Sequence, residues 1–202
     1  MMRALLLATL ALASSQLAAA DDPMSVIEGK TERLATMIDN KREQYLEDER
    51  AFKRDVRSVL LPTIDTVYSA RLVLGRHGRG KEREQIEAFA DALAGQLLDR
   101  YATALLDYDL HDRIEFLPLA GDNTERATRV RTRVRLDNGS RAPVDYVMRL
   151  TEEGWKVFDV IVEGISYVAT FRSQIDQEIR RSSFENVLGR LQSGQFQLDV
   201  DD

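Results

Sequence analysis

Gly75-Arg76-His77-Gly78-Arg79-Gly80-Lys81 has the G-x-x-x-x-G-K spacing of a phosphate-binding loop. In such loops backbone N–H groups and the lysine cradle phosphate, and a following Ser or Thr holds magnesium. Here the next residue is Glu82, which repels phosphate, and the preceding stretch has a helical period where the motif needs a strand. The segment therefore reads as a basic interhelical loop, not a nucleotide site. Arg71, Arg76, Arg79 and Lys81 keep a softer chemistry, contact with a lipid headgroup phosphate or an acidic partner surface.

Other reactive residue types are scarce. The chain has no cysteine, which excludes disulfides, thiolate zinc sites, iron–sulfur clusters and cysteine nucleophiles. His77 and His111 are its two histidines, too few for a multi-histidine metal centre, so no metal or cofactor is expected. Asp145, Tyr146 and Asp159 could mimic an acid–base constellation of a small cone-shaped α+β isomerase or hydrolase. Asp159 is the best candidate, because it interrupts an otherwise apolar strand. Such chemistry needs a carboxylate with a shifted pKa inside a pocket. A carboxylate at a sheet edge, or one paired with arginine, accounts for the same residue without catalysis.

Arg129, Arg131, Arg133 and Arg135 alternate with Thr128, Val130, Thr132, Val134 and Leu136. This ladder lacks the aromatic interleaving of a nucleic-acid platform. The formal charge of −6, from 28 basic and 34 acidic residues, also argues against a nucleic-acid partner. The ladder reads as a solvated sheet face.

The elements that must position these residues fall into three blocks. The apolar spacing is helical from Val26 to Tyr108, through Ile27, Leu34, Ile38, Tyr45 and Phe52 and, most cleanly, Ile86, Phe89, Ala90, Leu93, Leu97, Tyr101 and Leu105. From His111 to Val162 the period falls to two, with Ile114–Phe116, Thr128–Leu136, Val144–Leu150 and Trp155–Val162 as strands and Asn138-Gly139 as a hairpin turn. Helical spacing then returns. Ser166 caps one helix and Ser182-x-x-Glu185 resembles a capping box that opens another. The fold class is α+β: N-terminal helices, about four antiparallel strands in a curved sheet, and two C-terminal helices. A sheet curved around helices can leave an apolar pocket between the layers. Gln195–Asp202 reads as a flexible acidic tail.

Met1-Met2-Arg3, the apolar stretch Ala4–Leu12 and Ala18-Ala19-Ala20 form a secretory signal with cleavage expected after Ala20. Residues 21–202 are then a single exported domain. An exported chain of this kind could be a ligand carrier, an enzyme centred on Asp159, or an adaptor with a filled core.

Three local stretches favour the carrier. Leu72-Val73-Leu74-Gly75-Arg76, the run from Trp155 to Ser166, and Phe184-x-x-x-Leu188-x-x-x-Gln192 resemble the MlaC family, in the same order and over most of residues 24–193. These are periplasmic phospholipid-binding components of the Mla lipid-transport system. The resemblance implies a monomeric, non-enzymatic carrier that holds phospholipid as cargo by its acyl chains, with the headgroup largely outside. Its partners would be an inner-membrane ABC transporter complex and an outer-membrane lipoprotein–porin complex, and its role the maintenance of outer-membrane lipid asymmetry.

Given such a pocket, periodicity nominates its lining. Tyr68, Leu72, Phe89, Leu93, Leu97 and Tyr101 come from the first helical block, and Val168 and Phe171 from the second. Phe116, Val134, Tyr146, Met148, Val157 and Ile161 come from the strands. In the opposite register of the last strand, Phe158, Val160 and Val162 face the lipid instead.

Overall fold

A computed structural model describes residues 22–106, 110–111, 113–196 and 198–199. The expected signal segment lies outside the described residues. Helix α1 spans Pro23–Glu47, with Asp22 as its N-cap and Pro23 in its first turn, where a missing N–H costs nothing. Asp48 accepts the Ala51 N–H and starts α2, Glu49–Leu60. A 3-10 turn through Pro62 leads to α3, Thr66–Leu74, and a second one, Gly75–Gly78, leads to α4, Arg83–Tyr101. Among the described residues five strands follow: β1 Ile114–Phe116, β2 Thr128–Arg135, β3 Arg141–Thr151, β4 Gly154–Val162 and β5 Ile165–Ser166. Helices α5, Tyr167–Arg181, and α6, Phe184–Gln192, end the fold.

The sheet is an antiparallel meander in the order β1-β2-β3-β4-β5. Gly139, at φ +82°, turns β2 into β3, as Asn-Gly chemistry demands. The fifth strand, beyond the four expected, is two residues long and pairs with Ile161 and Val162. The β3–β4 register shifts at Val147/Met148: Met148 faces Val157, and Val147 faces Asp159. Phe158 is the extra residue of this bulge, so the alternation of β4 is broken in its middle.

Among the described residues three apolar clusters hold the fold together. Leu34, Ile38 and Tyr45 of α1 interlock with Phe52, Val56 and Val59 of α2. Helices α3, α4, α5 and α6 share a larger core around Val73, Phe89, Ile175 and Val187. The third cluster joins Ile27 of α1 to Val130, Met148 and Val157 on one face of the sheet. The opposite face carries the arginine ladder, with Asp145 of β3 at 3.7 Å from Arg129 and 3.9 Å from Arg133.

Two local expectations shift. Ser183, not Ser182, caps α6 by accepting the Asn186 N–H at 3.1 Å, because Ser182 is spent as the C-cap of α5. The described part of the C-terminal tail is docked rather than loose. Leu198 is 2% exposed, and the Gln174 amide holds the Asp199 backbone at both N–H and C=O. Apolar Phe196 and Leu198 sit among polar neighbours, so composition concealed two side chains that seek the core.

Candidate functional site

A cavity of about 270 Å³ lies where α3, α4 and α5 meet the edge of β4. Helix α4 supplies Ala90, Leu93, Ala94, Leu97, Leu98 and Tyr101, and α5 supplies Tyr167, Val168 and Phe171. The remaining wall is Ile64, Thr66, Ser69 and Val73 with Val157, Phe158, Asp159 and Val160 of β4. Helix α4 places the small residues Ala90 and Ala94 one turn apart on this wall.

The β4 side of the wall is apolar because the polar groups of β4 and of Ser69 are consumed within the fold. Strand β5 covers only Ile161 and Val162, so the preceding β4 carbonyls need other donors. The Asp65 N–H donates to Val157 O at 2.8 Å, and the Ser69 hydroxyl donates to Phe158 O at 2.8 Å. Asp159 accepts the Ser166 hydroxyl at 2.6 Å and the Val168 N–H at 3.0 Å. The Asp159 carboxylate thus ties the first turn of α5 to the sheet, a structural task that explains a carboxylate in an apolar strand. Among the described residues, no group of three or more His, Cys, Asp or Glu could hold a metal ion.

Six of the residues nominated from sequence line this cavity together: Leu93, Leu97, Tyr101, Val157, Val168 and Phe171. Both registers weighed for β4 contribute, since the bulge brings Val157, Phe158 and Val160 to the same wall. The other eight lie elsewhere. Phe89 is fully buried in the four-helix core beside Phe184. Phe116, Tyr146 and Met148 belong to the cluster under the start of α1, where burial pushes the Tyr146 phenol above its ordinary pKa. Val134 lies opposite Ile114 and Ala142 near the end of β2, and Ile161 lies opposite Asp145. Tyr68 meets the Phe158 ring edge-on at 5.2 Å, and Leu72 is half-buried on α3.

The basic positions lie on α3 and on the loop that follows it, outside the cavity wall, although Val73 of that wall is only two residues before Gly75. Arg76 and His77 both reach Asp176 of α5 at 2.8 Å, and Lys81 reaches Glu185 of α6 at 2.8 Å. Arg71 and Arg79 are exposed. Glu82, which spoils the phosphate-loop pattern, forms a capping box with Gln85 at the start of α4.

Sequence reasoning missed Ile64, Thr66, Ser69, Val73, Ala90, Ala94, Leu98 and Tyr167. Only the Ala90/Ala94 pair carried a usable signal, small residues one helical turn apart on the cleanest amphipathic helix.

Comparison with known proteins fits this geometry. A family model described as MlaC protein matches residues 28–193. The toluene tolerance protein ttg2D of Pseudomonas putida is 30% identical over 165 residues, covering 81% of this chain and 76% of that one. The intermembrane phospholipid transport system binding protein MlaC of Haemophilus influenzae is 26% identical over 149 residues, 71% of this chain and 68% of that one. A solved structure of a phospholipid-binding protein from Ralstonia solanacearum, in complex with a phospholipid, superposes with a TM-score of 0.75 at 19% identity. That match covers 86% of this chain and 96% of the other. With the family model spanning the helices, the sheet and the cavity alike, the chain belongs to the MlaC family.

Proposed function

We propose that this chain is a periplasmic phospholipid carrier of the Mla lipid-transport system. The observation that carries the reading is the apolar cavity beside β4, with the polar groups of β4 and Ser69 turned to internal hydrogen bonds. The Haemophilus relative is described as a phospholipid transport binding protein, and the Ralstonia neighbour holds a phospholipid.

The physics requires a wrapped cargo. A two-chain phospholipid carries on the order of 30 methylenes, and exposing them at about 0.8 kcal/mol each costs on the order of 25 kcal/mol. Passage through water unaided is therefore negligible. A dry wall of Leu93, Leu97, Tyr101, Val157, Phe158, Val160, Val168 and Phe171 recovers that energy without nucleophile, metal or nucleotide. The cavity is less than twice the roughly 150 Å³ that admits a benzene, so its walls part further as whole acyl chains enter. The chain is exported by its first twenty residues and cleaved after Ala20. It exchanges cargo with an inner-membrane ABC transporter complex and an outer-membrane lipoprotein–porin complex.

The test is solvent extraction of the purified mature protein followed by mass spectrometry. About one phospholipid per chain is expected. An extract free of lipid, from protein expressed in a lipid-replete host, overturns the reading.

A further inference from the structure

A second groove of about 760 Å³ adjoins the apolar cavity and shares Ile64 and Thr66 with it as common wall. Its charged residues are Arg149 and Lys156 against Asp65, Glu125, Glu152 and Glu153. Two ion pairs account for four of these, Arg149–Asp65 at 3.5 Å and Lys156–Glu153 at 2.9 Å. Glu125 and Glu152 remain as exposed negative charge.

Arg149 has capacity to spare. Its guanidinium lies over the Tyr68 ring at 4.4 Å, and Tyr68 in turn packs on Phe158 of the cavity wall. This contact holds the guanidinium beside the apolar space. The Asp65 pair is long, and Asp65 also accepts the Tyr68 N–H as the cap of α3. Among the described residues Asp65 is its one ion-pair partner, which leaves most of the five donors of Arg149 for another acceptor.

We infer that this groove seats a zwitterionic phospholipid headgroup, with the phosphate on Arg149 and the ammonium toward Glu125 and Glu152. A phosphate oxygen is the acceptor that a stacked guanidinium recognises best. The surplus of two carboxylates favours a headgroup that brings its own cation and opposes one that is purely anionic. The inference rests on the carrier reading and specifies where the cargo leaves the cavity. It also moves headgroup recognition away from the Gly75–Lys81 loop, at the far end of α3.

The experiment measures binding of three fluorescent probes with identical labelled acyl chains: phosphatidylethanolamine, phosphatidylglycerol and diacylglycerol. The wild-type chain is expected to prefer phosphatidylethanolamine. Arg149→Gln weakens it roughly tenfold, the size of one charge-assisted hydrogen bond, and leaves diacylglycerol binding unchanged, which also shows that the variant folds. Arg149→Lys restores much of the loss. The Glu125→Gln, Glu152→Gln double variant raises phosphatidylglycerol toward phosphatidylethanolamine. Equal binding of phosphatidylethanolamine by wild type and Arg149→Gln overturns the headgroup seat and leaves the carrier intact. Failure of wild type to bind any probe overturns both.

Discussion

Asp159 accepts the Val168 backbone N–H at 3.0 Å across the cavity wall. The same carboxylate accepts the Ser166 hydroxyl, which itself accepts the Ala169 N–H at 3.1 Å. One side chain of β4 therefore supports the cap of α5 directly and through Ser166. A negative charge at a helix N-terminus is favourable, and this one also fixes the angle at which α5 leaves the sheet.

That arrangement gives a first expectation. Asp159→Ala removes both acceptors and costs about 2 kcal/mol, in the range of a lost helix cap with a stranded donor. Asp159→Asn, which keeps one acceptor, costs less. Thermal unfolding of the two variants checks this, and an unchanged Tm for Asp159→Ala contradicts the capping role.

The cavity wall separates residues that serve the ligand from those that also serve the core. Val168 is half-buried and faces the cavity, whereas Phe171 is 2% exposed and belongs to the four-helix core. Val168→Glu is expected to fold and to lose copurifying phospholipid, because a carboxylate in a dry wall must be solvated. Phe171→Glu is expected to unfold, at a cost of about 4 kcal/mol or more. Circular dichroism melts with lipid quantified by mass spectrometry distinguish the two outcomes. Wild-type lipid content in Val168→Glu removes Val168 from the binding wall.

Much of this was legible in advance, and the exceptions have physical causes. The stripe Ile27, Leu34, Ile38, Tyr45 and Phe52 is buried throughout, because a helix against a core must repeat its apolar face. The strands were readable from their alternation. What alternation does not encode is which helix covers which face of the sheet. The start of α1 covers Tyr146 and Met148, while the cavity opens at the β4 edge, so of the six strand nominations Val157 alone lines it. The bulge at Phe158 adds a register change that no period-two pattern contains. Ser69 looks like an ordinary polar residue, and Asp159 like an acid–base candidate, until their partners 89 and 9 positions away are known.

Cargo should stabilise the fold. A ligand that binds only the folded state at about a hundred times its dissociation constant adds roughly 3 kcal/mol. Delipidated protein is therefore expected to melt several degrees lower than protein as purified, and re-addition of phospholipid restores the difference. Identical melting curves argue that the cavity was empty from the start.

Acid should unfold the chain through its paired carboxylates. The His77 hydrogen bond, with help from Arg180 and Arg76, holds Asp176 below the usual carboxylate range. The Tyr45 hydroxyl and Lys41 do the same for Asp55, and Arg190 for Glu178. Groups with a depressed folded pKa contribute stability that is complete above their unfolded pKa, about 4. It is lost as pH falls through the lower folded values. Tm is expected to be flat near neutrality and to fall below about pH 4, and Asp176→Asn shallows that fall while lowering Tm at pH 7. An acid limb that is the same in Asp176→Asn and wild type contradicts the assignment.

The docked C-terminal segment is testable at Leu198 and Gln174. Leu198 is buried, and Arg100 donates to its carbonyl at 3.2 Å. Gln174 of α5 accepts the Asp199 N–H at 3.1 Å and donates back to the Asp199 carbonyl at 2.5 Å. Gln96 of α4 donates to the carbonyls of both Leu191 and Phe196. The segment therefore clasps α4 and α5, the two helices that supply most of the cavity wall. Leu198→Ala removes a buried aliphatic side chain at a cost of about 2–3 kcal/mol. Gln174→Ala strands two backbone groups and costs about 1–2 kcal/mol. Because both changes act on one clasp, their effects are expected to be less than additive in the double variant. Loosening the clasp frees α4 and α5 to separate, so lipid release to acceptor vesicles should be faster in both single variants than in wild type. Stability within 0.5 kcal/mol of wild type for Leu198→Ala, a typical surface-residue value, would show that the segment is not clasped in solution.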